Sequence, residues 1–111
     1  MLVHLSIDYM GPESADGPVI SLSGEVDMLV ADEVRVAGDT AIEHALADGR
    51  RRVVIDLAEV TFLDSTGIGA LVSVSNAARE NDVPLVLRSM STRIAKLLTI
   101  TGLDGAFVTE P

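Results

Sequence analysis

The stretch Val53-Val54-Ile55-Asp56-Leu57-Ala58-Glu59-Val60-Thr61-Phe62-Leu63-Asp64-Ser65-Thr66-Gly67-Ile68-Gly69-Ala70-Leu71 decides how the chain is organised. Its opening, Val53-Val54-Ile55, is apolar at successive positions, the pattern of a strand buried on both faces. The strand is expected over Arg52 to Leu57, followed by a short loop. A second apolar pair, Phe62-Leu63, then delivers Asp64-Ser65-Thr66-Gly67 to the first turn of a helix. That helix is predicted from about Thr66 to Glu80, with Asn81-Asp82 and Pro84 ending it. Leu85-Val86-Leu87 follows as another short buried strand. A helix-length crossover between two buried strands implies parallel pairing with a right-handed connection.

The same alternation extends in both directions. Toward the N-terminus, apolar side chains recur at Val30, Val34, Ala37, Ala41 and Ala45, one face of an amphipathic helix that Gly49 closes. Asp32 and Glu33 lie in its first turn, where negative charge is favoured. Before it, Leu2 to Tyr9 and Val19 to Ser23 read as two strands of a hairpin, joined through Gly11-Pro12 and Gly17-Pro18. Gly24-Glu25-Val26-Asp27 reads as a loop. Toward the C-terminus, Ser91 is a candidate cap for a third helix carrying Ile94, Leu97 and Leu98, closed by Gly102. Ala106 to Val108 is a candidate last strand. The expected fold class is α/β, one domain over residues 1–111, with a mixed, mostly parallel sheet and an antiparallel N-terminal edge.

Composition narrows the function classes. The 111 residues are 48 % apolar, yet only Tyr9, Phe62 and Phe107 are aromatic, so the core is aliphatic. There is no cysteine and there are only two histidines, which excludes thiol chemistry and a His-rich metal site. Net charge is −9 with a single lysine, Lys96. So acidic a surface repels phosphate backbones and anionic lipid, so neither direct nucleic-acid binding nor a membrane partner is expected. Arg50-Arg51-Arg52 is the one basic run, and its simplest role is at a helix C-terminus. No apolar run spans a bilayer, and Asp8 interrupts the N-terminal segment, so a cytoplasmic protein is expected.

The candidate chemistry centres on Ser65. A serine at a helix start lies near free backbone N–H groups and the positive end of the dipole, a setting that accepts a phosphate. The structural alternative is an ordinary helix start in which Asp64 or Ser65 is the cap. Gly67 and Gly69 weaken that alternative, since each costs about 1 kcal/mol relative to Ala in a helix. Ile68, Ala70, Leu71, Val72 and Val74 also make the first turns apolar nearly all round, which suggests close approach by another molecule.

Catalytic readings fail on spacing. An aspartic-protease half-site has one residue fewer between Asp and Gly. A nucleophile elbow needs glycine where Leu63 stands. A dinucleotide fingerprint needs a third glycine where Val72 stands. His4, in an edge strand, and His44, on a helix, read as surface residues and give Ser65 no general base. A receiver domain phosphorylated on Asp56 is the stronger rival, but Asp8 has no acidic neighbour and Lys96 lies mid-helix. Asp56 reads as a strand-end carboxylate satisfied by its loop.

The order of elements from about Leu2 to Val108 resembles the STAS fold of the bacterial anti-sigma factor antagonists. Gly24-Glu25-Val26-Asp27 is similar to that family's Gly-Glu-hydrophobic-Asp loop, and Asp64-Ser65-Thr66-Gly67-Ile68-Gly69 to its phosphorylation motif. Ile100-Thr101-Gly102-Leu103 with Phe107 resembles its C-terminal segment. Val30 departs from the pattern, where many relatives carry threonine. The resemblance implies partner switching without catalysis or cofactor. The unphosphorylated protein would bind an anti-sigma factor that is a serine kinase. Phosphorylation of Ser65 would release it, and a serine phosphatase would reverse the mark. Gly24, Glu25, Asp27, Asp64, Thr66, Gly67, Ile68 and Gly69 would form the partner-binding site. The alternatives are a STAS scaffold subunit of a stress-signalling complex, or a receiver-like or small-ligand-binding α/β module. Because loops gather at the carboxyl ends of parallel strands, Asp27 and Ser65 are expected close together.

Overall fold

The computed structural model describes residues 5–10, 17–49, 52–103 and 105–111. Five strands form one sheet in sequential order: β1 (Leu5–Met10), β2 (Val19–Val26), β3 (Val53–Leu63), β4 (Leu85–Arg88) and β5 (Val108–Glu110). β1 is antiparallel to β2, and every other pair is parallel. Three helices provide the crossovers: α1 (Ala31–Ala47), α2 (Ser65–Glu80) and α3 (Thr92–Ile100). The mixed α/β sheet expected from the sequence is present. The expected Gly11-Pro12 turn, His4 and Arg50-Arg51 lie outside the described residues.

The core is aliphatic, as composition requires. Val53, Ile55 and Leu57 of β3 share it with Ile20 and Leu22 of β2, Val34 and Ile42 of α1, Leu71 and Val74 of α2, and Ile94 and Leu98 of α3. Val54 and Val86, which alternation places on the other side of the sheet, are also buried. β3 is therefore covered on both faces at its start, as its apolar run predicts.

Three strands are bounded differently from expectation. β3 does not stop near Leu57 but runs on to Leu63, 11 residues in all. Register shifts opposite Ser21/Ser23 and Gly24/Glu25 leave extra β3 residues between paired positions, which lets the strand continue through polar Glu59 and Thr61. Asp56 supports the first irregularity: its Oδ1 accepts from Ala58 N–H at 2.9 Å, and its Oδ2 lies 3.2 Å from Arg88 on β4. It lies mid-strand, flanking the bulge, and is not a strand end. Gly24, Glu25 and Val26 likewise belong to β2 rather than to a loop, and Gly24 takes a φ of 100° at the second irregularity, a conformation glycine adopts without strain. The last strand is Val108–Glu110, two residues later than its apolar pattern suggests. Arg52 holds it in place by a two-pronged pair with Glu110 at 2.9 and 3.2 Å. His44 is half-buried and hydrogen-bonded to the Tyr9 hydroxyl, tying α1 to β1, and is not a free surface histidine.

Candidate functional site

β2 and β3 are parallel and end in register, Val26 opposite Leu63. The next residues, Asp27 and Asp64, therefore leave the sheet side by side at its carboxyl end. A hydrogen bond from Asp64 N–H to the Val26 carbonyl, at 3.3 Å, joins the two exits. The β2–α1 turn carrying Asp27 and the helix start carrying Ser65 thus form one rim, as a parallel sheet with right-handed crossovers demands.

Asp64 is the cap of α2. Its Oδ1 accepts from Gly67 N–H at 2.8 Å, and its backbone is extended, the usual conformation for that position. Of the two candidates for the cap, the structure thus selects Asp64. Ser65 becomes the first residue of the helix, exposed to solvent, with Thr66 half-exposed behind it. Free N–H groups of this first turn and the helix dipole make the position favourable for negative charge.

The two glycines of the motif have different reasons. A Cβ on Gly67 would lie 2.2 Å from the Val26 carbonyl oxygen and 2.9 Å from Leu63 Cδ1, so only glycine lets α2 start this close to β2. Gly69 is half-exposed, and a Cβ there would meet nothing within 4 Å. The fold demands the first and is indifferent to the second.

The apolar excess of α2 is satisfied within the chain. Ile68 is 6 % exposed, and Ala70, Leu71 and Val74 are at most 1 % exposed, because α1 covers the helix on the side that the sheet does not. It is no sign of a docked molecule. The open apolar surface lies elsewhere on the rim. Met28 and Leu29 are 71 and 74 % exposed just after Asp27, and Phe62 is 47 % exposed just before Asp64. None of the three belongs to the site expected from the sequence. Their signal was weak but present: Met28-Leu29 precede the helical period that starts at Val30, and adjacent Phe62 and Leu63 cannot both face the core of one strand.

Asp27 is half-buried, and its Oδ1 accepts from Leu29 N–H at 3.0 Å while its carbonyl accepts from Val30 N–H at 3.2 Å. It closes the turn before α1 and is not the helix cap. That position falls to Val30, which has no side-chain bond to offer. Glu25 is exposed in β2 opposite Phe62, so Glu25, Asp27 and Asp64 give the rim an acidic character. No group of three or more metal-ligating side chains occurs among the described residues. No helix among them is long and apolar enough to cross a membrane.

Comparison with known proteins agrees with this geometry. Residues 11–110 match the family model described as Mlab, STAS domain. The anti-sigma-B factor antagonist of Staphylococcus aureus (strain NCTC 8325 / PS 47) is 32 % identical over 84 residues, 76 % of this chain and 74 % of that protein. The crystal structure of an anti-sigma factor antagonist from Mycobacterium paratuberculosis is 32 % identical, with a TM-score of 0.64 over 96 % of this chain and 86 % of that one. The Bacillus cell fate determinant SpoIIAA in its phosphorylated form shares the fold, with a TM-score of 0.67 at 20 % identity over 96 % of this chain and 92 % of that one. The chain belongs to the STAS-domain family of anti-sigma factor antagonists.

Proposed function

We propose that the unphosphorylated protein binds an anti-sigma factor that is itself a serine kinase, and so frees the sigma factor which that kinase holds. The kinase ends the interaction by phosphorylating Ser65, and a serine phosphatase restores it. The protein acts in the cytoplasm as a regulated substrate, not as a catalyst, and reaches transcription without touching DNA or membrane. Its net charge of −9 favours that indirect route.

The observation that carries this reading is the division of labour at the start of α2. Asp64 supplies the cap, so Ser65 stands exposed at a position that favours added negative charge, with no duty in the helix start. Gly24, Glu25, Asp27, Asp64, Thr66, Gly67, Ile68 and Gly69 compose the partner site in two ways. Glu25, Asp27, Thr66 and Gly69 offer surface to the partner, while buried Gly67 and Ile68 hold the rim in shape. Met28, Leu29 and Phe62 extend the contact with apolar area.

Phosphate adds roughly −1.5 to −2 charges at neutral pH. Beside Asp64 and Asp27 it sets a dianion against the docked partner. At ~4 Å from one acidic partner group the repulsion is ~1–4 kcal/mol, depending on the local dielectric. That weakens binding by roughly one to three orders of magnitude.

Mass spectrometry after incubation with ATP and the candidate kinase should find acid-stable phosphate on Ser65. Acid-labile phosphate on Asp56 would support a receiver instead. By titration calorimetry, Ser65→Ala should bind the anti-sigma factor persistently, and both Ser65→Asp and the phosphoprotein should bind poorly with near-native melting. Equal affinity of the wild-type and phosphorylated forms sinks the mechanism, and unfolding of Ser65→Asp would make Ser65 a structural residue.

A further inference from the structure

The described cations of this acidic chain are mostly engaged. Arg35 pairs with Asp32, Arg52 with Glu110 and Arg88 with Asp56, and Arg79 hydrogen-bonds Asn76. Arg93 and Lys96 are the exception. Both are exposed on α3 and neither joins an ion pair among the described residues. Both also line the same groove, about 570 Å³ in volume, between the end of β3 and α3.

The rest of that groove is largely apolar. Leu63 and Ile94 are buried, while Phe62 and Ile100 remain 47 and 74 % exposed along it. Single exposed apolar residues are ordinary. Here two large ones border one concavity, so a linear apolar body laid in it would shield both from water together. Arg93, Lys96 and Ile100 fall at the three- and four-residue spacings that align side chains along one helix face, charge toward its start and apolar surface toward its end.

Size and charge select the occupant. The volume falls within the ~300–1,000 Å³ typical of small-molecule sites. From Arg93 to Ile100 the helix rises about 10 Å, the reach of a medium-length alkyl chain. The chain's net charge of −9 acts as a whole against an extended anionic bilayer, whereas one small anion seated in the groove meets mainly the nearby Arg93 and Lys96, which points to a free molecule. We propose that the groove between Phe62-Leu63 and α3 binds a free, single-tailed amphipathic anion of the medium-chain carboxylate class. Its head lies at Arg93 and Lys96, and its tail runs over Ile94 toward Ile100.

The test is a methyl and amide NMR titration of the full chain with sodium decanoate. Decyltrimethylammonium, sodium acetate and phosphatidylglycerol vesicles serve as counter-probes. Decanoate should shift the signals of Ile94, Leu97 and Ile100 saturably, with a dissociation constant of about 1 mM or below. At equal concentration the cationic analogue and acetate should leave those signals in place, and vesicles should not broaden them. Arg93→Gln/Lys96→Gln should weaken decanoate binding by about tenfold at low ionic strength while melting like wild type, since both side chains are exposed. Ile100→Asn should weaken it independently. Equal binding of the cationic analogue, shifts centred away from α3, unchanged affinity in the double variant, absence of saturation, or preference for vesicles would each overturn the proposal.

Discussion

The two helices that leave the carboxyl end of the sheet side by side begin in opposite ways. α2 starts in a fixed frame: Asp64 caps Gly67 N–H at 2.8 Å, Asp64 N–H bonds the Val26 carbonyl, and Gly67 is wedged against that same carbonyl. α1 starts without a side-chain cap, its turn held by the Asp27 carboxylate on Leu29 N–H, with Met28 and Leu29 standing out into solvent. One start is built from satisfied polar groups and close backbone contact. The other leaves apolar area open. The difference teaches how a rim can present a modifiable hydroxyl from a rigid base while a neighbouring turn supplies adhesive surface.

Substitution at Gly67 breaks the comparison most severely. Gly67→Ala forces a Cβ against the Val26 oxygen, a backbone atom that cannot rotate away. A loss of about 3 kcal/mol is expected by chemical denaturation, at the upper end of overpacking effects. A near-neutral result would mean that α2 is not fixed against β2 as described.

The cap is the next test. Asp64→Ala should lower stability by about 1 kcal/mol, whereas Asp64→Asn, which keeps an acceptor for Gly67 N–H, should retain most of it. Thermal melts of the two variants separate capping from charge. Identical losses would show that the carboxylate's charge, not its hydrogen bond, holds the helix start.

Gly69→Ala should act in the opposite direction to Gly67→Ala. With open space around its Cβ and an ordinary helical backbone, alanine should raise stability by about 0.5–1 kcal/mol. If partner affinity falls while stability rises, Gly69 is reserved for contact. Unchanged affinity would remove it from the partner site.

The smallest stability effect is expected at the other helix start. Asp27→Asn preserves an acceptor for Leu29 N–H, so folding stability should stay within about 0.5 kcal/mol. Partner affinity at low salt should nevertheless drop if the charge pairs with a basic group of the kinase. Calorimetry at two ionic strengths decides this, and an affinity independent of both salt and substitution rules the pairing out.

Local chemistry made much of this molecule readable in its sequence. The apolar periods of α1 and of Val53-Val54-Ile55, the serine cap of α3 at Ser91 and the stop signals at Asn81-Asp82 and Gly102 depend on residues a few positions apart. So does the Asp64-to-Gly67 spacing that lets a carboxylate reach the N–H three residues on. These features follow from backbone geometry alone. Tertiary structure decided the rest. The apolar run predicts a strand ending at Leu57, but pairing with β2 through two irregularities, with an ion pair from Asp56 to Arg88 beside the first, carries it to Leu63. Val72 and its neighbours suggested an exposed apolar face on α2, but packing of α1 buries most of it and leaves Met28, Leu29 and Phe62 open instead. Gly67 and Gly69 look equivalent in the chain. Only the approach of Val26, on another strand, makes one indispensable and the other free. A residue's own neighbours set its dihedral preferences and its reach for nearby N–H groups. Which surface is covered, and which Cβ has room, depends on atoms brought together from distant parts of the chain, and a linear pattern does not encode their distances.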